Sequence, residues 1–267
     1  ADPPAEPRAL LEVDGLSKRF GGLQAVDGLS FSVSEGTITA LVGPNGSGKT
    51  TAFNVITGMM GADGGRVTFA GTRIDRMPSW ERAHLGLGRT FQITRLFREM
   101  TVLENVVAPL SQFSWGQLAA DAVAGHEAAR ALELLAFVGM AQHAHVPARS
   151  LSFGQQKLVE LAQVLMLEPK LILLDEPAGG INPTLIERMA ERIRDLNREL
   201  GTTFLIVEHN MPLVAELCDP VIVLARGRTI AEGPAAEIQR DPHVLDAYLG
   251  EGWVDEAALD GEPEVRA

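Results

Sequence analysis

The run Gly43-Pro44-Asn45-Gly46-Ser47-Gly48-Lys49-Thr50-Thr51 constrains this chain more than any other stretch. An apolar β-type segment, Thr37–Val42, leads into it, and a helix-permissive one, Thr51–Ile56, leads out. Strand, glycine-rich loop and helix, with Lys-Thr closing the loop, is the context that a phosphate loop (Walker A) needs. Glycines at 43, 46 and 48 let backbone N–H groups turn inward on a polyphosphate with no Cβ in the way. A helix beginning near Lys49 adds the positive end of its dipole. Lys49 is placed to reach β- and γ-phosphates, and the Thr50 hydroxyl to hold Mg2+. Residues 43–51 therefore predict nucleotide binding.

A second element fits the first. Leu171-Ile172-Leu173-Leu174 is a continuous apolar run, as a central parallel strand should be, and it ends in Asp175-Glu176-Pro177. Such a Walker B element lets Asp175 hold Mg2+ through water and Glu176 polarise an attacking water. Thr203–Val207 reads as another buried strand, ending in Glu208-His209, and a histidine there is within reach of a γ-phosphate or lies on the surface. Gln92, at the end of Gly88-Arg89-Thr90-Phe91-Gln92, is a candidate Mg2+ ligand through its amide oxygen. Phe20 precedes the phosphate loop by about two dozen residues; its ring either stacks on a base or is buried under a hairpin.

Elsewhere the pattern is α/β. Leu10–Val13 and Leu29–Val33 read as strands around a loop, Lys18–Val26, and Gly64–Gly71 as a turn followed by a short strand. Pro78–Ala83 looks like a helix start with Ser79 as cap. Met100–Leu167 has no strong β signal and reads as an all-helical insertion. Its helices start at Thr101, with Glu104 completing a capping box, and cover His126–Val138 and Gly154–Leu167. Ser111–Gly125 is expected to be a loop or weak helix, and His143 and His145 to be solvated. Pro183–Glu199 predicts a helix capped by Asn182. Pro220–Ala225 and Thr229–Ala231 are the last strands, and Pro234–Arg240 and Pro242–Leu249 the last helices. The first nine residues and the acidic stretch from Glu251, with six carboxylates and one arginine, are expected to be flexible.

Composition narrows the partners. A net charge of −12 argues against a nucleic-acid partner, which calls for a basic face. One cysteine, Cys218, precludes an internal disulfide and suits a reducing compartment. Ala1–Leu10 lacks the apolar core of a signal peptide. No apolar run approaches the ~18 residues that span a bilayer, so membrane association is expected to come through a protein partner.

Leu151-Ser152-Phe153-Gly154-Gln155-Gln156, a small-residue turn at a helix start, is similar to the signature of ABC-transporter ATPases, with Phe153 where the general pattern has glycine. Together with residues 43–51, Gln92, Asp175-Glu176 and His209, in this order, it makes residues 10–240 resemble an ABC nucleotide-binding domain. Arg89–Gln92 with Arg95-Leu96-Phe97, Ala178–Pro183 and Val244–Gly250 resemble the branched-chain amino-acid uptake branch, the LivG-like ATPases. The resemblance implies a P-loop NTPase (RecA-like) core, about 10–90 and 168–240, with an antiparallel β subdomain. It also implies an inserted helical subdomain, about 91–167, within one ABC ATP-binding domain, 10–250.

It further implies ATP hydrolysis with Mg2+ in a head-to-tail dimer. Walker A of one chain faces the signature of a second, a copy or a sister chain, and Ser152 with the N–H groups of Gly154 and Gln155 meets the γ-phosphate. Glu176 is then the base or water-orienter, His209 the γ-phosphate contact, Phe20 the adenine platform, and Thr50, Gln92 and Asp175 the Mg2+ residues. Asn182 stands at the D-loop position, where an aspartate is more usual. The Gln92–Phe97 region contacts membrane permease subunits, which places the chain peripherally on the cytoplasmic face of the inner membrane. Cargo is chosen by other subunits, so urea, short amides or lipopolysaccharide are alternatives to branched-chain amino acids. A soluble ABC protein acting on ribosomes or DNA usually carries two ATPase units or basic surfaces, unlike this chain. A P-loop kinase would leave the signature and His209 without a role.

Overall fold

The computed structural model describes residues 8–90, 94–110 and 125–249. Its centre is a sheet of mostly parallel strands: β3 (Ile38–Val42), β6 (Leu87–Arg89), β7 (Leu171–Asp175), β8 (Thr203–Val207), β9 (Val221–Ala225) and β10 (Arg228–Gly233), in the order β10-β9-β3-β8-β7-β6. All pairs are parallel except β9 with β10. Every residue of β3, β7 and β8 is buried, which is why these strands read as unbroken apolar runs rather than alternating ones. Alternate side chains enter two separate cores. Ala40, Ile172, Leu174 and Ile206 pack with the helices on one face, whereas Leu41, Leu171, Leu173 and Leu205 pack with the other.

That other face is covered by α1 (Lys49–Ile56) and an antiparallel sheet. The sheet has the order β2-β1-β4-β5, from β1 (Ala9–Phe20), β2 (Leu23–Ser34), β4 (Gly64–Phe69) and β5 (Thr72–Arg73). β1 and β2 form one long hairpin, which corrects the loop expected over Lys18–Val26. Pairing runs to Phe20↔Leu23, and a tight turn at Gly21-Gly22, with Gly21 at φ 57°, closes it. The hairpin tip projects into solvent, so its strands lack the apolar alternation by which strands are recognised.

β6 and β7 are neighbours in the sheet, yet 81 residues, 90–170, separate Arg89 from Leu171 in the sequence. The intervening chain contributes α3 (Val102–Val107), α4 (Gly125–Phe137) and α5 (Phe153–Leu165), which pack on one another. Thr101 and Glu104 form the expected capping box on α3. Residues 111–124 lie outside the described residues, as do 1–7 and 250–267. α6 (Pro183–Leu200) crosses from β7 to β8 and α7 (Met211–Leu217) from β8 to β9; α8 (Ala235–Ile238) and α9 (Pro242–Leu249) follow the sheet.

α2 (Ser79–His84) departs from the expectation in detail. Pro78 occupies the cap position and Ser79 the first turn, with no side-chain cap bond. What anchors α2 is Arg82, 2% exposed. Its guanidinium donates to Val55 O (2.6 Å) and Ile56 O (2.7 Å), at the C-terminal end of α1, and to Met77 O (2.9 Å) and Asp75 O (3.2 Å). A buried cation at a helix C-terminus satisfies orphan carbonyls and the dipole together. Arg82→Met is expected to lower the unfolding free energy by about 2–4 kcal/mol, because buried carbonyls lose a charged donor. Urea unfolding followed by circular dichroism measures this, and a loss within the ~0.5 kcal/mol of an ordinary surface change would contradict it.

Candidate active site

The phosphate-loop segment turns tightly between β3 and α1. A Cβ on Gly43 would sit 2.1 Å from the Leu224 carbonyl oxygen, and one on Gly48 would sit 2.4 Å from that of Ala25. Only glycine lets the loop pass between β9 and the β1–β2 hairpin. Gly48 is the N-cap residue of α1, so its cap position carries no side chain, and the first turn has no acidic residue. An unblocked helix start of this kind suits an anion. Asn45 and Gly46 are exposed at the loop's crest, and Thr50 is exposed beside them. Lys49 is buried and folds back on the loop, its ammonium donating to Gly43 O (2.6 Å), Pro44 O (2.9 Å) and Ser47 Oγ (3.4 Å). Tyr248 on α9 is held against the loop by a hydrogen bond with the Gly43 backbone, and burial pushes its phenol up to about 12.

Because β3, β8 and β7 are adjacent and parallel, the ends of all three open on one edge. Asp175 closes β7 and is 3% exposed. Its Oδ2 accepts from Arg89 Nη2 (2.9 Å), while Arg89 Nη1 donates to Asn54 Oδ1 (2.7 Å) and Thr57 Oγ1 (2.9 Å) of the α1 segment. Burial works against the Arg89 charge, and the bond to Asp175 works for it. Glu176 follows in the left-handed region, φ 49°, with its N–H bonded to Val207 O at 2.9 Å. Its Oε1 lies 3.9 Å from Nδ1 of the exposed His209. Glu176 and His209, far apart in sequence, thus meet across β7 and β8.

Glu208 has a role that sequence reasoning passed over. It is 1% exposed, and it accepts from Ala178 N (2.7 Å), His209 N (3.0 Å) and Asn210 N (3.1 Å). It therefore binds the segment after β8 to the turn after β7. The signal was available, since a carboxylate at the end of a wholly buried strand must find donors.

Ser152 caps α5 in a capping box with Gln155: Ser152 N donates to Gln155 Oε1 (2.9 Å) and Gln155 N to Ser152 Oγ (3.4 Å). Gln155 Nε2 is 3.3 Å from His143 Nε2, so His143 is a neighbour of this turn rather than a solvated residue. Gln156 accepts from Thr94 Oγ1 at 2.9 Å. Phe153 is half-exposed, with its ring against Gly180; a Cβ on Gly154 would meet Leu185 at 2.1 Å and Ile181 at 3.0 Å. The start of α5 therefore rests on the turn between β7 and α6. Asn182 caps α6 by accepting from Leu185 N (3.0 Å).

Phe20 is 47% exposed at the hairpin tip, with the Lys18 ammonium 5.8 Å from its ring centre, so the buried alternative does not apply. Gln92 lies outside the described residues. The oxygen donors Thr50 and Asp175 are of the hard type that Mg2+ takes.

The profile described as "ABC transporter" matches residues 26–179, and one described as "Branched-chain amino acid ATP-binding cassette transporter" matches 228–254. The high-affinity branched-chain amino acid transport ATP-binding protein LivG of Salmonella typhimurium is 41% identical over 250 residues, covering 91% of this chain and 98% of the relative. BraF of Pseudomonas aeruginosa, which carries the same description, is 38% identical over 253 residues, covering 91% and 99%. Among solved structures, an ATP-binding cassette of an ABC transporter in its ADP conformation matches with TM-score 0.82 and 36% identity, over 91% of this chain and 99% of that one. A bacterial ABC transporter cassette in dimeric form matches with TM-score 0.74 and 27% identity, over 84% and 98%.

Lys49→Ala removes a buried charge aimed along the phosphate loop. Nucleotide affinity is expected to fall about 10–100-fold, the range for a charge-assisted contact. Equilibrium titration with a fluorescent ATP analogue reads the change, and unaltered affinity would take Lys49 out of the site.

Proposed function

The chain belongs to the family of ABC-transporter ATP-binding subunits, and from that premise we propose that it is the ATP-hydrolysing subunit that energises a branched-chain amino-acid importer. It is an ATPase of the ABC type, with ATP as its nucleotide. The observation that carries the hydrolytic reading is the shared edge of β3, β8 and β7. There the phosphate loop, His209 and the Asp175-Glu176 pair lie side by side. Relatives described as branched-chain amino acid transport proteins, 38–41% identical over nearly their whole length, support the cargo.

In this reading the N–H groups of Gly46–Thr50 and the Lys49 ammonium bind the β- and γ-phosphates, with Phe20 as the platform for the adenine. Thr50, Gln92 and Asp175 would hold Mg2+, and Arg89 fixes the Asp175 carboxylate through its Oδ2. Mg2+, when bound, neutralises charge on the phosphate oxygens. Glu176 accepts a hydrogen bond from the attacking water and orients it along the line of displacement. His209 donates toward the γ-phosphate. A second chain, a copy or a sister subunit, closes the site with its own Ser152–Gln156 turn, and closure and reopening of the pair drive the permease.

Permease contact is assigned to the segment from Gln92 to Phe97, where Phe97 is 56% exposed. None of the helices among the described residues is long and apolar enough to cross a membrane. The permease contact, in this reading, holds the chain peripherally on the cytoplasmic face of the inner membrane.

Glu176→Gln is expected to retain ATP affinity while turnover falls about 10²–10⁴-fold, the worth of a positioned general base. Labelled-leucine uptake in cells lacking the chain should be rescued by wild type and not by this variant. Uptake that never depends on the chain would refute the cargo, whereas undiminished turnover would refute the role of Glu176. Ser152→Arg should leave nucleotide binding by the single chain intact and abolish ATP-dependent dimers in light scattering. Dimers of undiminished stability would remove the Ser152–Gln156 turn from the interface.

A further inference from the structure

Lys157 belongs to none of the motifs used above, yet it is the residue through which α5 touches Glu176. It directly follows Gln156 on α5 and is 5% exposed. Its ammonium donates to the carbonyl oxygen of Glu176 at 2.5 Å and reaches that of Pro177 at 3.4 Å. The Phe153 ring lies with its centre 5.3 Å from the ammonium, and Gly180 lies close to an edge of that ring. Burial works against the Lys157 charge, and the carboxylates of Glu208, Glu160, Glu176 and Asp175 offset that effect only in part.

The contact bears on chemistry because of Glu176's backbone. A residue with a Cβ is held in the left-handed region only where its surroundings dictate it. Here the Glu176 N–H is fixed by Val207 O, and its carbonyl is fixed by Gly179 N at 3.0 Å and by Lys157. The direction of a side chain follows from the φ and ψ of its residue. What holds the carbonyl therefore constrains the direction in which the carboxylate leaves the backbone. Lys157 also rides on the helix whose first turn, in the proposed dimer, meets the nucleotide of the other site.

We propose that Lys157 is a positioning residue that transmits the placement of α5 to Glu176 of the same chain, so that engagement of the Ser152–Gln156 turn with one nucleotide sets the hydrolytic competence of the opposite site. The inference rests on the paired-site reading and adds a direction to it: Lys157 acts on its own chain's Glu176.

The test uses full-length chains mixed in pairs, with the chain bearing Glu176→Gln in large excess so that competent chains sit in mixed dimers. Turnover per competent chain, KM for ATP and affinity for a fluorescent ATP analogue are read. Wild type with Glu176→Gln is the reference. Lys157→Met with Glu176→Gln is expected to show kcat lowered about 10–100-fold, the cost of a misplaced catalytic group, with affinity and KM unchanged. Wild type with the double variant Lys157→Met/Glu176→Gln is expected to match the reference, because the working Glu176 then keeps its own lysine. Lys157→Arg, which retains the charged donor, should recover most of the lost kcat. A loss only in the mixture with the double variant would mean that Lys157 shapes only the signature turn, equal losses in both that it acts on the pair as a whole, and no loss in either that it positions nothing; each overturns the proposal. If Lys157→Met does not fold, Lys157→Gln replaces it, and failure of both to fold would make the residue purely structural and overturn it too. A reference mixture without turnover would mean that the two Glu176 residues act only together, and would overturn the action of Lys157 on its own chain while leaving the paired-site reading in place.

Discussion

Parallel pairing of β3, β8 and β7 is the constraint on which the rest depends. Parallel strands end on the same edge, so whatever follows each of them is delivered to a common line. Here that line receives the phosphate loop after β3, Glu208-His209 after β8 and Asp175-Glu176 after β7. The register is held by strands buried on both faces, whose apolar side chains feed two cores. A slip of one residue would exchange those two sets of side chains and move every catalytic candidate with them.

Several buried charges lie along or near the edge so formed, and four of them have a visible structural use. Arg89 joins Asp175 to Asn54 and Thr57, tying the end of β7 to α1. Glu208 gathers three N–H groups from the turns after β7 and β8. Lys157 reaches from α5 to the Glu176 carbonyl. On the far side of α1, Arg82 takes up its terminal carbonyls. Ions in a dry interior are costly unless fully partnered, but once partnered they hold their neighbours in one geometry. The helix that starts at the phosphate loop is thus pinned at its C-terminal end and alongside, while its N-terminal end carries the glycine-rich loop.

The phosphate loop, the acidic strand end and the signature turn could be recognised in the chain because each is a local rule. Glycine spacing, an apolar run tipped by carboxylates, and a Ser-x-x-Gln helix start all declare themselves within ten residues. The hairpin of β1 and β2 was legible only at its buried ends, because its exposed tip at Lys18–Phe20 shows no apolar alternation. Pro78 displaced Ser79 from its expected cap, a difference of one position that propensity alone does not resolve. Arg82, Glu208 and Lys157 read as ordinary surface charges until their partners, which are distant in sequence or are backbone atoms, come into view.

By itself the sequence determined the class of chemistry. A polyphosphate needs inward N–H groups, a lysine and hard oxygen ligands, and those residue types stand in fixed local order around residues 43–51 and 171–176. It also determined the alternation of strand and helix, since burial on both faces is written in consecutive residues. Only the tertiary structure decided how the parts are joined: that Glu176 faces His209, that Arg89 braces Asp175, and that α5 rests its lysine on the backbone of Glu176. The physical reason is that these are contacts between side chains and main-chain carbonyls or N–H groups. Every residue carries such groups, so no residue type or spacing marks the partner in advance.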